Sequence, residues 1–83
     1  MNVTVALFAG AREIVGQSSL KIQLNQAVPV TVEHLRNEMQ QAFPELKPIL
    51  AHSLFAIDHE FATPQQLITA ESDVALIPPV SGG

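Results

Sequence analysis

The sequence predicts an α+β domain, a mixed sheet with one main helix packed on one face. Three observations point there. Apolar, β-branched runs stand at both ends of the chain, "NVTVALF" at residues 2–8 and "VALI" at residues 74–77. One segment, "VTVEHLRNEMQQAFP", carries apolar residues at clear helical spacing. With 83 residues, 47% of them hydrophobic and 14% charged, the chain can build one well-supplied core and no second one.

In the first run, Val3, Val5 and Leu7 share one face, and Thr4, Ala6 and Phe8 share the other. "AGAREIVG" reads as a short helical turn closed by Gly16, a residue that tolerates the left-handed cap. "SLKIQLN" alternates, with Leu20, Ile22 and Leu24 inward and Lys21 and Gln23 outward. The short link between these two runs favours an antiparallel pair. In the helix, Thr31 is the N-cap and Glu33 complements the dipole, while Val30 and Leu35 are spaced for a hydrophobic staple. Val32, Leu35, Met39, Ala42 and Phe43 form its apolar stripe, and Pro44 ends it. "ELKPILAH" is open to a further turn of helix. "SLFAI" reads as a strand, "DHE" as a turn and "FA" as a short return strand. "LITAESD" reads as a loop before the last strand.

Composition excludes several classes of function. The net charge is −4, and the four cations (Arg12, Lys21, Arg36 and Lys47) are scattered. Nucleic acid calls for a concentrated basic footprint, and four Phe without Trp or Tyr offer little stacking surface. An acidic domain is better suited to dock on a basic protein surface. Without cysteine there is no disulfide, thiolate catalysis or zinc knuckle. No apolar run approaches membrane-spanning length and no basic region precedes the first one, so the expected location is the cytoplasm, with no membrane partner.

The chain finishes on "IPPVSGG". Pro78 and Pro79 donate no backbone hydrogen bond, so the sheet must stop there. The expected division is therefore a folded body at residues 1–77 and an extended tail at residues 78–83. Six residues reach about 20 Å when extended. Gly82 and Gly83 make the narrowest thread a polypeptide can offer, and a thread ending in a carboxylate can enter another protein's active site. There the carboxylate can attack the α-phosphate of ATP, and the resulting acyl adenylate is open to a sulfur or nitrogen nucleophile. Two terminal glycines arise by chance in about one chain in 200, so the pair alone is a weak signal. Placed directly after a strand and two prolines, it is a stronger one.

"LFAGAREIVG" near the start and "DVALIPPVSGG" at the end resemble the small, sulfur-carrying subunits of molybdopterin synthase. That family reads as a strand, F-A-x-x-R-E-x-x-G, a helix, an acidic turn, an apolar strand and P-P-V-x-G-G. This chain departs from it at Asp58, where Asn is often found, and at Glu71-Ser72, where Gly-Asp is usual. The resemblance implies a β-grasp, or ubiquitin-like, fold with the two end strands adjacent in the middle of the sheet. It implies that Gly83 is adenylated by an activating enzyme using ATP and magnesium, then loaded by a sulfur donor to give a thiocarboxylate. The loaded tail would enter the large subunit, in a two-plus-two heterotetramer, and give its sulfur to cyclic pyranopterin monophosphate. This chain would bind no cofactor, and the catalytic groups would belong to the large subunit. Related β-grasp sulfur carriers for thiazole or tRNA thiolation share the same tail chemistry, and a ubiquitin-like modifier or plain binding module is the alternative from another class.

Beyond the tail, alternation leaves Ala6, Phe8, Ala75 and Ile77 on the face away from the helix, with Phe61 on a strand too short to bury it. Phe8, Phe61 and Ile77 are the expected apolar docking patch, and Pro78, Pro79, Val80 and Ser81 the partner-binding stretch that leads to Gly82 and Gly83. Arg12 and Glu13 could form an ion pair that pins their loop. His34, His52, Asp58, His59 and Glu60 match no metal-ligand spacing and read as solvated surface, so no metal is expected.

Overall fold

A computed structural model describes residues 2–24 and 29–79. The first run forms β1 (Asn2–Leu7), and the second forms β2 (Ser19–Gln23), antiparallel to it with Val3 opposite Ile22 and Val5 opposite Leu20. Between them lies α1 (Ala9–Val15), capped by Gly16 at φ 79°. The Gly16 amide donates to the Arg12 carbonyl at 2.8 Å, closing the last turn in a left-handed conformation that suits a residue without Cβ. After β3 (Val30–Thr31), the chain enters α2 (Val32–Ala42), a 3₁₀ turn at Pro44–Leu46 and the short α3 (Lys47–Leu50). Then follow β4 (Leu54–Ile57), β5 (Glu60–Phe61), β6 (Leu67–Ile68) and β7 (Val74–Ile77).

The main sheet runs β2-β1-β7-β4-β5. The two end strands are central and parallel, with Val5 beside Val74 and Leu7 beside Leu76. All other pairs are antiparallel, so the sheet is mixed. Inward residues follow the predicted alternation: Val3, Val5, Leu7, Leu20, Ile22, Leu24, Val74 and Leu76 are all buried. They meet Val32, Leu35 and Met39 of α2 in one cluster of buried residues that also takes in Leu46, Leu50 and Phe55. Arg36 lies over the Phe55 ring, 5.3 Å from its centroid, and donates a hydrogen bond to the Leu50 carbonyl. It thereby ties α2 to the end of α3 across the edge of the core.

Three local expectations are corrected. "LITAESD" is not all loop, because Leu67–Ile68 pairs with Val30–Thr31 in a second, two-stranded sheet. The reason lies at the start of α2. Its first amides need acceptors, and Val32 N donates to Gln66 O at 3.0 Å while Glu33 N donates to Pro64 O at 2.9 Å. The Thr31 hydroxyl takes the third, from His34 N at 3.1 Å, so the predicted N-cap holds. Residues 64–68 are ordered by capping a helix distant in sequence, a role that local periodicity does not reveal. Ala42, assigned to the apolar stripe, is exposed, because the stripe ends at Met39 and the chain turns away at half-buried Phe43. Arg12 and Glu13 are both exposed and form no ion pair among the described residues, where the ion pairs are His34–Glu38 and His59–Asp73.

Candidate functional site

The sheet face turned away from α2 carries the candidate site. Backbone register sets Ala6 of β1 beside Ala75 of β7, Ala75 beside Ala56 of β4, and Ala56 beside Phe61 of β5. A row of methyl groups thus crosses three strands and ends against a phenyl ring. Ile77 stands opposite Leu54 on the side toward the C-terminus. Phe8, the residue after β1, rises at the same end.

These residues enclose an open hollow of about 360 Å³. Its floor is the alanine row, its walls are Phe8, Ile77 and Phe61, and its polar end is His59 with Asp73. Phe61 is 69% exposed and Phe8 49%, so large apolar surface is left in water where a folded domain normally hides it. The predicted patch of Phe8, Phe61 and Ile77 is therefore brought together. Half-buried Pro78 and exposed Pro79 continue from β7 and do not line the hollow, and β7 stops at Ile77 as their chemistry requires. Val80, Ser81, Gly82 and Gly83 lie outside the described residues.

The polar end was not anticipated as part of a site. Asp58 and His59 are the two loop residues between β4 and β5, at φ 52° and 70°. Positive φ at both central positions is what a type I′ hairpin turn demands. Asp58 N donates to Asp73 O at 2.9 Å, and Asp73 N donates to the Asp58 carboxylate at 3.0 Å, which latches the hairpin to the entry of β7. His59 Nε2 then faces an Asp73 carboxylate oxygen at 3.6 Å. Ala9, directly after Phe8, also has positive φ at 50°. Of these three residues His59 lines the hollow, while Asp58 and Ala9 each adjoin a residue that does, and such backbone costs about 1–2 kcal/mol of strain per residue.

One consequence is testable by stability alone. His59→Gly supplies the Asp-Gly pair that type I′ turns favour and gives up only an exposed ion pair worth little. We expect a gain of about 1 kcal/mol, or about 4–8 °C in melting temperature by calorimetry. An unchanged or lower melting temperature would show that the turn is not strained at His59.

Elsewhere, Arg12, Glu13, Gly16 and Ser18 border a shallow polar depression beside α1. Among the described residues, no three His, Asp or Glu side chains gather as a metal site, and no helix is long and apolar enough to cross a membrane.

A family model described as the ThiS family matches residues 5–83. The chain belongs to the ThiS family. Full-length relatives of this ThiS-family chain include a molybdopterin synthase sulfur carrier subunit from Dictyostelium discoideum, 31% identical over 81 residues, covering 95% of this chain and 93% of that one. Another with that name, from Arabidopsis thaliana, is 29% identical and covers 100% of this chain and 84% of that one. Among solved structures, SAMP1 from Haloferax volcanii superposes with a TM-score of 0.81 at 24% identity, each chain covered completely. A chain from the protein–protein complex of subunits 1 and 2 of molybdopterin-converting factor from Helicobacter pylori 26695 gives 0.67 at 23% identity, again with both chains fully covered. These structures share the β-grasp fold with the ThiS-family chain described here.

Proposed function

We propose that this chain is the sulfur carrier subunit of a molybdopterin synthase. The observation that carries the reading is the similarity to proteins of that name over 95–100% of this chain, combined with the P-P-V-S-G-G residues that directly follow the central strand β7. In this reading residues 1–77 are a handle and residues 78–83 are the delivery arm. The Gly83 carboxylate attacks the α-phosphate of ATP on a magnesium-dependent activating enzyme, releasing pyrophosphate. A sulfur donor then displaces AMP and leaves a thiocarboxylate. Ionised sulfur is a soft nucleophile, as thiolates are. It attacks a carbon of cyclic pyranopterin monophosphate in the large subunit, and an oxygen substituent leaves that carbon. Water then cleaves the acyl–sulfur bond, so that sulfur stays on the pterin and the Gly83 carboxylate is regenerated; two such deliveries complete the dithiolene.

The chain brings the reagent, and the large subunit brings the acids and cations that stabilise developing charge. The chain itself holds no cofactor, and the assembly is a two-plus-two heterotetramer in the cytoplasm. Phe8, Phe61 and Ile77 form the docking face, and Pro78, Pro79, Val80 and Ser81 guide the thread of Gly82 and Gly83 into the partner.

Intact-mass analysis of the protein purified from its host tests the chemistry. A population with one terminal oxygen replaced by sulfur is expected. Isopeptide adducts on cellular lysines, with no such population, would instead place the chain among ubiquitin-like modifiers. Docking is tested separately through Phe61, whose exposure means that Phe61→Asp leaves the core intact. Its affinity for the large subunit should fall by about tenfold or more in titration calorimetry, and unchanged affinity would remove Phe61 from the interface.

A further inference from the structure

On the reading of this face as the docking surface for the large subunit, the hollow's shape and charge specify what enters it. The floor of Ala6, Ala75 and Ala56 offers only methyl groups, leaving a trough across three strands rather than a flat apolar sheet. One end is closed by Phe8 and Ile77 and one side by the Phe61 ring. The far end carries the Asp73 carboxylate, whose side chain is 65% exposed. Among the described residues its one ion-pair partner is His59, at 3.6 Å and 89% exposed, a distance too long for a good hydrogen bond. The Asp58 carboxylate is already committed to the Asp73 amide, and exposed Glu60 adds further negative charge to the same hairpin. None of Arg12, Lys21, Arg36 or Lys47 lines the hollow.

An occupant must therefore have a long apolar stem and a cationic head. A purely apolar side chain would cover Asp73 and leave a desolvated charge without a partner. Lysine could meet the charge, but its compact ammonium does not stack. A guanidinium is planar, lies on an aromatic face and pairs with a carboxylate through two donors. Arginine is also among the residues that dominate the energetics of protein interfaces.

We infer that the hollow is a socket for one arginine side chain of the partner. Its stem lies on the alanine floor, and its guanidinium sits between the Phe61 ring and the Asp73 carboxylate, displacing His59.

The test is titration calorimetry of the full chain against the molybdopterin synthase large subunit encoded by the same genome. Asp73→Asn keeps the shape and both hydrogen bonds made by the residue 73 backbone. It should weaken binding about tenfold or more and flatten its dependence on salt. Ala75→Leu fills the floor, and should weaken binding comparably while leaving the salt dependence as in wild type. Substituting the partner's arginines by alanine one at a time should reveal one whose loss adds little to that of Asp73→Asn. The inference is overturned if Asp73→Asn binds as tightly as wild type, or if no partner arginine couples to Asp73. Those results leave the docking reading standing, whereas a wild-type chain that fails to bind the large subunit removes both.

Discussion

Deleting Gly83 should yield a domain that melts as wild type does and, on the carrier proposal, no longer delivers sulfur. The core of the described residues is built without that residue. Among the described residues, the last fully buried side chain is Leu76 and the last strand ends at Ile77. The proposed chemistry depends on Gly83. With no cysteine anywhere in the chain, there is no thiol to take over as the loading site. Deletion still leaves a carboxylate, now on Gly82, but drawn back by about 3.5 Å. Since a misplacement of about 1 Å can cost about 10²-fold in rate, transfer should drop by more than that. Gly82→Val asks the companion question of width. A branched side chain in the thread should impair activation or transfer far more than it changes melting. Both variants are read by formation of the thiocarboxylate in intact mass and by dithiolene production with the large subunit. Retained delivery after loss of Gly83 would end the carrier proposal.

Phe55→Ala should produce the largest loss of stability of any single substitution considered. Phe55 is 1% exposed, sits opposite Leu76 in the β4–β7 pair, and supports the Arg36 guanidinium on its outer side. Truncation removes a ring from a packed interior and leaves a cavity, at about 3–5 kcal/mol. It also removes the surface over which Arg36 is placed, so the tie between α2 and α3 weakens. A domain of this size is expected to hold only about 4–12 kcal/mol in total. The variant should therefore melt about 15 °C or more below wild type, or fail to fold near physiological temperature. A loss under about 1 kcal/mol in urea titration would mean that the site collapses without a void, contrary to the packing described.

The main elements were legible because each rests on a local signal. Alternation at residues 2–8 and 19–25 placed Val3, Val5, Leu7, Leu20, Ile22 and Leu24 inward, and all are buried. Thr31 announced the start of α2 and accepts from His34 N. Gly16 announced the end of α1 and takes the left-handed cap. The pair β3 and β6 was not legible. Two-residue strands carry no measurable period, and residues 64–68 are ordered by amides at the start of α2. The apolar half of the site could be anticipated, since outward positions at the ends of β1 and β7, and a return strand too short to bury its ring, left Phe8, Ile77 and Phe61 with nowhere to hide. His59 read as solvated surface and Asp73 only as the end of a loop, and the latch between Asp58 and Asp73 brings them to the hollow.

The sequence by itself determined the core-facing residues of β1, β2 and β7 and that β7 must stop before Pro78 and Pro79. Those properties follow from side-chain period and proline backbone chemistry, both of which act over a few residues. Only the tertiary structure decided that Ala6, Ala75, Ala56 and Phe61 share one row and that Asp73 closes its end. Register between strands dozens of residues apart is fixed by burying one whole face of the sheet against the helices, and a slip of one residue would have reversed every side chain in that row.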